Sequence, residues 1–324
     1  MKNVCIVGFG NIASLHKEAI KESDLARFYA VCDIDSEKMK ALPNKILKYT
    51  DFDEMLKNDK IDSVHICTPH YLHFEMIKKA AECGKDVVVE KPLVMKECEL
   101  DCLLALQRKQ LKRIATVFQN RLNPCARRMR DMILSESLGK LKTVRASVMW
   151  HRDMNYYGSA KWRGTKSFEG GGVMINQAIH TLDLIGFLGG GFSKARAITA
   201  NFSIPEIEVE DTCAAYLSLK SGANVVLFAT NAYGENASPD IETVLENGTL
   251  RYCDGELLLD GEVIERDLKS ESGKAYWGSG HKALIKNFYD KGEYFSPVDA
   301  ENTMRTIFAI YKSAKFGGAE EYIK

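Results

Sequence analysis

No apolar run in this sequence reaches the roughly 20 residues that a membrane-spanning helix requires. The longest candidate, residues 173–188, is interrupted by Asn176, His180 and Asp183. The N-terminus enters a short apolar run directly, without the long hydrophobic region and cleavage site of a signal peptide. We therefore expect a soluble, cytoplasmic protein.

The sequence also lacks an excess of charge of either sign, because 44 basic residues balance 44 acidic ones. No broad electrostatic field is present to hold a polyanion, so we expect neither a nucleic acid nor a membrane surface as a partner. The nine cysteines include no CxxC pair. The spacing therefore predicts neither a disulfide framework nor a zinc site, and we expect no metal.

The first 120 residues contain short β-branched apolar runs that alternate with amphipathic stretches of about a dozen residues. This alternation predicts parallel strands joined by helices, which form a doubly wound Rossmann sheet. We predict its strands at residues 4–7, 28–32, 46–49, 64–67, 86–89 and 113–117.

After Pro124 the apolar runs become longer and alternate with polar residues, at 141–149, 195–201, 212–219 and 224–230. Ser221-Gly222 and Asp254-Gly255 are typical hairpin turns. The pattern predicts an α+β domain with a mainly antiparallel open sheet. No Pro/Gly/Ser-rich linker separates the halves, so we place one tight boundary between domains 1–121 and 122–324.

The segment Gly8-Phe9-Gly10-Asn11-Ile12-Ala13 follows the first predicted strand and opens the first helix. This is the context in which a dinucleotide fingerprint operates. The first glycine permits the tight turn, the second lets the backbone approach a pyrophosphate, and the helix N-terminus offers free N–H groups to the phosphates. Asp33 ends the second strand, where its carboxylate can bind the ribose hydroxyls and would repel a 2′-phosphate. We therefore predict NAD rather than NADP.

Two polar segments follow later strands of the same predicted sheet. Thr68, Pro69 and His73 follow the fourth strand, and Glu90-Lys91-Pro92 follows the fifth. In an open parallel sheet, the crevice outside the carboxyl ends of the strands binds the ligand, so we expect these residues at the cofactor. A lysine that is desolvated there can exchange a proton with a substrate hydroxyl. An exposed surface lysine is the alternative interpretation of Lys91.

Three glycines, residues 170–172, lead into a predicted helix that carries Asn176, His180 and Asp183. In one continuous helix these three residues, at i, i+4 and i+7, share a face. A polar stripe on an apolar helix is either paired within the core or faces a wet pocket. The residues alone leave both interpretations open.

These motifs together resemble the Gfo/Idh/MocA family, which includes glucose-fructose oxidoreductase and inositol 2-dehydrogenase. The resemblance runs from Gly8 to the C-terminal helix, and its order and spacing are specific. It implies a Rossmann domain for NAD(P), a substrate-binding and oligomerisation domain with an open sheet, sugar or cyclitol substrates, and a homodimer or homotetramer. It also implies that Lys91 and His180 transfer protons during catalysis. The family frequently has aspartate where this chain has Asn176, so Lys91 is expected to do more of the acid/base work.

Further residues are candidates for the sites. Gln119 at the domain junction is a candidate cofactor ligand. An arginine or amide group matches vicinal hydroxyls, and an aromatic face suits a sugar ring. The resemblance places the segment around Tyr276 and His281 near the substrate. With Lys91, Asn176 and His180, the substrate-binding candidates are therefore Arg121, Trp162, Arg163, Tyr276 and His281.

The predicted reaction is hydride transfer between the nicotinamide and a hydroxyl-bearing carbon of a sugar, cyclitol or sugar derivative. Two alternatives remain open. One is a glycosidase that uses bound NAD for transient oxidation, a chemistry that some relatives of the family perform. The other is a catalytically silent NAD-binding sensor, which Lys91 and His180 argue against and Asn176 keeps open. The sequence does not determine the substrate, the carbon oxidised or the physiological direction.

Overall fold

The computed structural model describes residues 1–109, 112–268, 278–290 and 292–324. Their contacts divide the chain into two compact units. Unit 1 comprises Met1–Gln119 and Gly280–Ala300, and unit 2 comprises Asn120–Ser279 and Glu301–Lys324. Residues 280–300 thus pack with the N-terminal part of the chain, although the sequence-based division near residue 121 assigns them to the second domain. That division into functional domains stays a prediction.

Unit 1 is built on a six-stranded sheet in the order β3-β2-β1-β4-β5-β6. Every neighbouring pair in it is parallel, which confirms the predicted Rossmann sheet. The buried strands are rich in β-branched residues because helices cover both faces of such a sheet. The strands are β1 (Lys2–Val7), β2 (Ala26–Cys32), β3 (Leu47–Tyr49), β4 (Ser63–Ile66), β5 (Asp86–Val89) and β6 (Ile114–Thr116).

The helices of unit 1 begin and end at residues with clear local signals. The Asp51 carboxylate accepts the N–H of Glu54 at 2.7 Å and so caps the N-terminus of its helix. Gly84, with φ of +74°, follows the end of another. The helices are α1 (Ala13–Lys21), α2 (Phe52–Leu56), α3 (His73–Glu82), α4 (Glu97–Arg108) and α10 (Gly280–Tyr289).

Unit 2 contains a nine-stranded sheet in the order β14-β13-β12-β11-β7-β10-β9-β8-β15. Among the strand pairs that the described residues form in this sheet, only β7 and β10 are parallel. The prediction of a mainly antiparallel sheet is therefore confirmed. The strands are β7 (Leu141–Met149), β8 (Phe192–Ala200), β9 (Thr212–Leu219), β10 (Asn224–Thr230), β11 (Asp240–Leu245), β12 (Gly248–Cys253), β13 (Glu256–Leu259), β14 (Glu262–Arg266) and β15 (Glu321–Tyr322).

Both predicted hairpin turns are present in this sheet. Ser221-Gly222 joins the antiparallel strands β9 and β10, and Asp254-Gly255 joins β12 and β13. Asp254 and Gly255 have φ of +53° and +73°. Two successive residues with positive φ match the right-handed twist of the flanking strands, which is why this dipeptide favours a two-residue hairpin.

The glycine-led helix of unit 2 is divided, which corrects the prediction of one continuous helix. Asn176 ends the first segment, and His180 and Asp183 lie in the second. The helices of this unit are α5 (Pro124–Leu134), α6 (Met154–Tyr157), α7 (Lys166–Glu169), α8 (Val173–Asn176) and α9 (Ile179–Gly189), together with α11 (Pro297–Lys315), which begins in unit 1.

One face of the unit 2 sheet exposes apolar side chains on neighbouring strands. Ile198, Tyr216, Val226 and Phe228 are all exposed, and Tyr216 lies opposite Val226 in the register of β9 and β10. Such a patch is typical of an interaction surface, but assembly into a dimer or tetramer stays a prediction. No helix within the described residues is both long and apolar enough to cross a membrane.

Candidate cofactor and substrate sites

The turn between β1 and α1 has the backbone geometry that a dinucleotide requires. Gly8 has φ of +82°, and a Cβ at this position would lie 2.7 Å from the carbonyl oxygen of Cys67. Gly10 is exposed, and no heavy atom of the described residues lies within 4 Å of its hypothetical Cβ. A side chain is therefore excluded at the first position, and the backbone at the second is open to a phosphate.

Asp33 at the end of β2 is nearly buried and organises this turn. Its Oδ2 accepts the N–H of Phe9 at 2.7 Å, and its Oδ1 accepts the N–H of Asp35 at 2.9 Å. The ammonium of Lys38 lies 3.4 Å from the carboxylate. Asp33 thus ties the glycine turn to β2, and a cation lies beside the position predicted for the adenosine ribose.

His73 links the two other predicted cofactor segments. Its Nδ1 lies 2.7 Å from the carbonyl oxygen of Pro92, and its Nε2 lies 3.0 Å from that of Thr68. Burial lowers the pKa of the His73 imidazole, although the two carbonyl oxygens oppose this shift. Because a neutral imidazole has a single N–H, only one of these contacts is then a hydrogen bond. His73 holds the loops after β4 and β5 together.

Gln119 provides the clearest sign that unit 1 holds a ligand. Its side chain is completely buried, yet neither its Nε2 nor its Oε1 has a hydrogen-bond partner among the described residues. A buried amide left in this way is costly unless a further group completes it. The donors and acceptors at Gly10, Asp33 and Gln119 therefore fit NAD.

Lys91 follows β5 and is half-buried. Its main-chain N–H lies 3.3 Å from Oε2 of Glu90, whose carboxylate is itself nearly buried. His281 lies beside the same carboxylate, with its Nε2 3.5 Å from Glu90 Oε1. The structure thus places His281 in unit 1, beside a predicted cofactor residue. Its substrate-binding role stays a prediction, and Tyr276, predicted with it, lies outside the described residues.

In unit 2, the hydroxyl of Tyr156 brings together several predicted substrate residues. It accepts a hydrogen bond from the Arg163 guanidinium, one from Asn176 Nδ2 at 3.3 Å and one from Gln177 Nε2 at 3.1 Å. The Arg163 guanidinium also lies over the rings of Tyr156 and Trp162, at 4.3 and 4.6 Å from their centroids. Tyr156 was not predicted from the sequence, because its hydrogen bonds join it to residues 20 and 21 positions away.

The Tyr156 oxygen therefore lies within hydrogen-bond distance of three N–H groups. Its own O–H has no acceptor among the described residues, so the proton is available to a ligand oxygen. Burial raises the pKa of Tyr156 above its ordinary value, although the positive charge of Arg163 opposes this. The phenol consequently keeps its proton at neutral pH and serves as a hydrogen-bond donor.

A buried carboxylate lies beside Asn176. Glu169 is 1% exposed, and its two oxygens accept the Asn176 Nδ2–H and the Gly164 N–H, each at 2.5 Å. Asn176 and Asp183 therefore have different partners and do not form one stripe. The main chain at Gly172 lies against that of Glu210, and only glycine fits there because a Cβ would lie 1.8 Å from the carbonyl oxygen of Glu210. His180, near the start of α9, is half-buried.

Arg121 forms a buried ion pair with Asp183. Its Nη2 and Nε lie 2.5 and 2.8 Å from the two carboxylate oxygens, and the Thr303 hydroxyl donates to the same carboxylate at 2.8 Å. The side chains of Arg121 and Asp183 are 8% and 2% exposed. This geometry favours a structural role for Arg121, and its substrate contact stays a prediction.

The contact between Asn176 and Glu169 predicts the effect of restoring the family's aspartate. Asn176→Asp would place two carboxylates within hydrogen-bond distance, so they would share a proton and one of their pKa values would rise. The folded state then binds this proton more tightly than the unfolded state. The free energy of unfolding is therefore highest below the pKa that this carboxyl has in the unfolded chain. It falls as the pH rises toward the raised pKa of the folded state, by about 1.4 kcal/mol for each unit by which the two pKa values differ.

The measurement is the melting temperature of the variant and the wild type between pH 4 and pH 8. Asn155→Asp is the matched control, because Asn155 donates to Asp153 at 2.9 Å at an exposed site where solvent screens the charges. An Asn176→Asp protein whose melting temperature follows that of the wild type at every pH would contradict the prediction.

Comparison with known proteins identifies the family of this chain. The family described as "Oxidoreductase family, NAD-binding Rossmann fold" matches residues 2–118, and "GFO/IDH/MocA C-terminal domain" matches residues 126–251. The chain therefore belongs to the Gfo/Idh/MocA family and is an NAD-binding oxidoreductase, as the resemblance and the glycine fingerprint predict. Within the described residues, no group of three or more His, Cys, Asp or Glu is arranged to hold a metal ion.

Curated relatives include two dehydrogenases of sugar-like compounds. Myo-inositol 2-dehydrogenase from Thermotoga maritima is 23% identical over 67% of this chain and 65% of its own length. D-glucoside 3-dehydrogenase from Escherichia coli is 27% identical over 65% of this chain and 60% of its own length. The chain spans between 40% and 65% of the length of the curated relatives it matches.

Among solved structures, the WlbA dehydrogenase from Chromobacterium violaceum is similar along the whole chain. It is 28% identical with a TM-score of 0.88, and the match covers 100% of this chain and 96% of that one. That structure contains NADH and UDP-GlcNAcA. Its fold matches both the parallel and the mainly antiparallel sheet described above.

Proposed function

We propose that this protein is an NAD-dependent dehydrogenase that oxidises a hydroxyl-bearing carbon of a sugar, cyclitol or sugar derivative. The observation that carries the proposal is the full-length similarity to a dehydrogenase whose structure contains NADH and UDP-GlcNAcA. The Tyr156 hydroxyl supports it, because its proton is directed to no described residue and a hydroxylated ligand offers the acceptor. The catalytic roles below rest on the family resemblance.

Lys91 and His180 are the proposed proton-transfer residues. Lys91 Nζ or His180 accepts the proton of the substrate hydroxyl. NAD, held at Gly10, Asp33 and Gln119, would supply the hydride acceptor for the hydroxyl-bearing carbon. A positioned acid or base of this kind accelerates a reaction by about 10²- to 10⁴-fold. Because Asn176 is an amide and cannot act as a base, Lys91 carries the larger part of this transfer.

The residues of unit 2 supply orientation and positive charge. Tyr156 donates its hydroxyl proton to a substrate oxygen, and Arg163 holds the Tyr156 oxygen in place. The guanidinium of Arg152 also lies near this ring, 5.1 Å from the Tyr156 ring centroid and 5.0 Å from that of Trp150. Two guanidinium groups at one aromatic ring favour a substrate with an acidic group, so sugar acids belong in the first set of candidates.

The test is a substrate screen with purified protein and NAD, followed by the absorbance of NADH. The panel contains inositols, aldoses, amino sugars, free sugar acids and UDP-linked sugars, including UDP-GlcNAcA. Net NADH formation with one class supports the proposal. Release of an aglycone without net NADH would indicate a glycosidase instead, and NAD binding with no turnover across the panel would indicate a sensor.

The contact between Asp33 and Lys38 predicts cofactor selectivity. We expect wild-type protein to bind NAD at least about tenfold more tightly than NADP, which is about 1.4 kcal/mol, because Asp33 repels a 2′-phosphate. Asp33→Ala should reduce or reverse this preference, since it removes the repulsion and leaves the Lys38 ammonium to pair with the phosphate.

The measurement is a fluorescence titration of each variant with both cofactors. Lys38→Ala is the control with the opposite expectation, because it leaves Asp33 without its neighbouring cation and should increase discrimination against NADP. Equal affinities of the wild type for NAD and NADP would show that the Asp33 carboxylate does not reach the ribose, and the selectivity argument would fail.

A further inference from the structure

A row of hydrogen-bonded polar side chains lies in the interior of unit 1 and ends at Glu90. His16 Nε2 lies 2.9 Å from Glu90 Oε1, and His16 Nδ1 lies 2.9 Å from His65 Nδ1. His65 Nε2 lies 2.7 Å from the Tyr289 hydroxyl, which lies 2.9 Å from Ser63 Oγ. All five residues are buried, three of them completely. We call Glu90, His16, His65, Tyr289 and Ser63 the buried chain.

The direction of each hydrogen bond follows from the far end of the buried chain. The Tyr289 hydroxyl donates to Ser63, so its oxygen accepts from His65 and His65 Nε2 carries a proton. Burial lowers the pKa of the His65 imidazole well below its ordinary value, and the neighbouring His16 lowers it further. His65 is therefore neutral and its Nδ1 is an acceptor, which requires His16 Nδ1 to be the donor between the two rings.

The contact between His16 Nε2 and Glu90 then needs a second proton. Burial by itself raises the pKa of Glu90, but the hydrogen bond from His16 and the nearby His281 imidazole outweigh it and hold this pKa well below its ordinary value. Glu90 is consequently a carboxylate and can only accept. The proton of this contact belongs to His16 Nε2, so both ring nitrogens of His16 are protonated.

We propose that His16 is an imidazolium in a buried ion pair with Glu90, and that this pair positions Lys91. His16 lies in the first turn of α1, directly after the glycine turn, and Glu90 directly precedes Lys91. Oε2 of the same carboxylate accepts the Lys91 main-chain N–H at 3.3 Å. The pair therefore connects the helix that begins at the cofactor turn to the main chain of Lys91. The positioning part of the proposal rests on the proposed role of Lys91.

Other titratable groups also face Glu90. Burial and the Glu90 charge raise the pKa of the Cys67 thiol well above its ordinary value, so Cys67 is uncharged. Burial lowers the pKa of His73, so this imidazole supplies no positive charge at neutral pH. His281 on α10 lies 3.5 Å from the carboxylate, compared with 2.9 Å for His16. His16 is thus the nearer of these two imidazoles to the Glu90 charge.

The first test of the proposal is independent of activity. Nitrogen-15 NMR of the full-length protein with labelled histidine should show both nitrogens of His16 protonated at pH 7, with and without NAD. Tyr289→Phe removes the acceptor for His65 Nε2–H, so the proton of His65 can move to Nδ1 and donate to His16. His16 Nδ1 should then become an acceptor, and its nitrogen-15 shift should move to that of an unprotonated ring nitrogen.

Tyr49→Phe is the matched control for this test. It removes a hydroxyl of the same unit that is hydrogen-bonded to Asn58 at 2.8 Å, outside the buried chain, and should leave the His16 spectrum unchanged. A His16 with one unprotonated nitrogen in the wild type at pH 7 would overturn the ion pair. This outcome is decided whether or not the protein oxidises any sugar.

The second test addresses positioning, using the best substrate from the screen. Glu90→Gln keeps the size of the side chain and removes its charge, and His16→Gln replaces the imidazolium by a neutral amide that can still donate a hydrogen bond. Each should lower kcat about tenfold with KM within about twofold of the wild type, and the double variant should be no slower than the slower single one. Additive losses, or unchanged kcat in both, would overturn the positioning role while leaving the NMR result to stand on its own.

Discussion

Lys91→Ala is expected to lower kcat by about 100-fold or more, because it removes the proposed proton acceptor for the substrate hydroxyl. NAD affinity should stay close to that of the wild type, since the glycine turn, Asp33 and Gln119 are left in place. The measurement combines steady-state kinetics on the best substrate with a fluorescence titration of NAD. His180→Ala should also lower kcat, but by a smaller factor if Lys91 carries more of the transfer.

The control for Lys91→Ala is Lys85→Ala. Lys85 is a buried lysine immediately before β5, with its Nζ 3.0 Å from the carbonyl oxygen of Asn58, whereas Lys91 follows the opposite end of the same strand. Loss of Lys85 removes a buried ammonium without touching the predicted cofactor residues. A folded Lys91→Ala protein with intact NAD binding and unchanged kcat would show that the base lies elsewhere.

Arg121→Ala is expected to destabilise unit 2 by about 3–5 kcal/mol, because it leaves the Asp183 carboxylate buried without its cation. Two hydrogen bonds from Arg121 and one from Thr303 currently satisfy that carboxylate. The measurement is the free energy of unfolding in urea, with activity assayed on the folded fraction. The variant should keep its kcat wherever it remains folded.

Arg145→Ala provides the exposed counterpart, since Arg145 is 53% exposed and pairs with Asp240 and Glu242 on the sheet surface. Arg145→Ala should lower the free energy of unfolding by about 1 kcal/mol or less. Arg121→Met with Asp183→Leu should recover much of the stability, because a buried ion pair is often replaceable by apolar side chains. An Arg121→Ala protein with wild-type stability and a large increase in KM would instead favour the substrate contact predicted from sequence.

The secondary structure of this chain could largely be predicted from local patterns. β5 and β7 have the predicted bounds, and the turns Ser221-Gly222 and Asp254-Gly255 join strands as expected. These features depend on side-chain periodicity and on the φ values that glycine and aspartate tolerate, which neighbouring residues determine. The division of the glycine-led helix into α8 and α9 was not predicted. The break falls at residues 177–178, directly after Asn176, whose side chain donates to Glu169 and Tyr156, 7 and 20 residues away in sequence.

Some residues of the candidate sites could likewise be located from sequence, and others could not. The glycine turn, Asp33 and the Glu90-Lys91 segment could be located from sequence because each stands at the end of a strand, and the order of a parallel sheet brings those ends to one edge. Tyr156 and Glu169 could not be assigned, because their hydrogen bonds to Asn176 have no periodic signature. His16 and His65 were given no role for the same reason.

The family, the Rossmann sheet with its NAD-binding turn and the mainly antiparallel second sheet could be inferred from sequence, since each follows from short-range patterning of apolar residues, glycine and charge. The contacts between buried polar side chains could not, because they join residues that are far apart in the chain. His16 and Glu90 are 74 residues apart, and His65 and Tyr289 are 224 apart. Their protonation depends on burial and on the direction of neighbouring hydrogen bonds, and both arise only once the chain is folded.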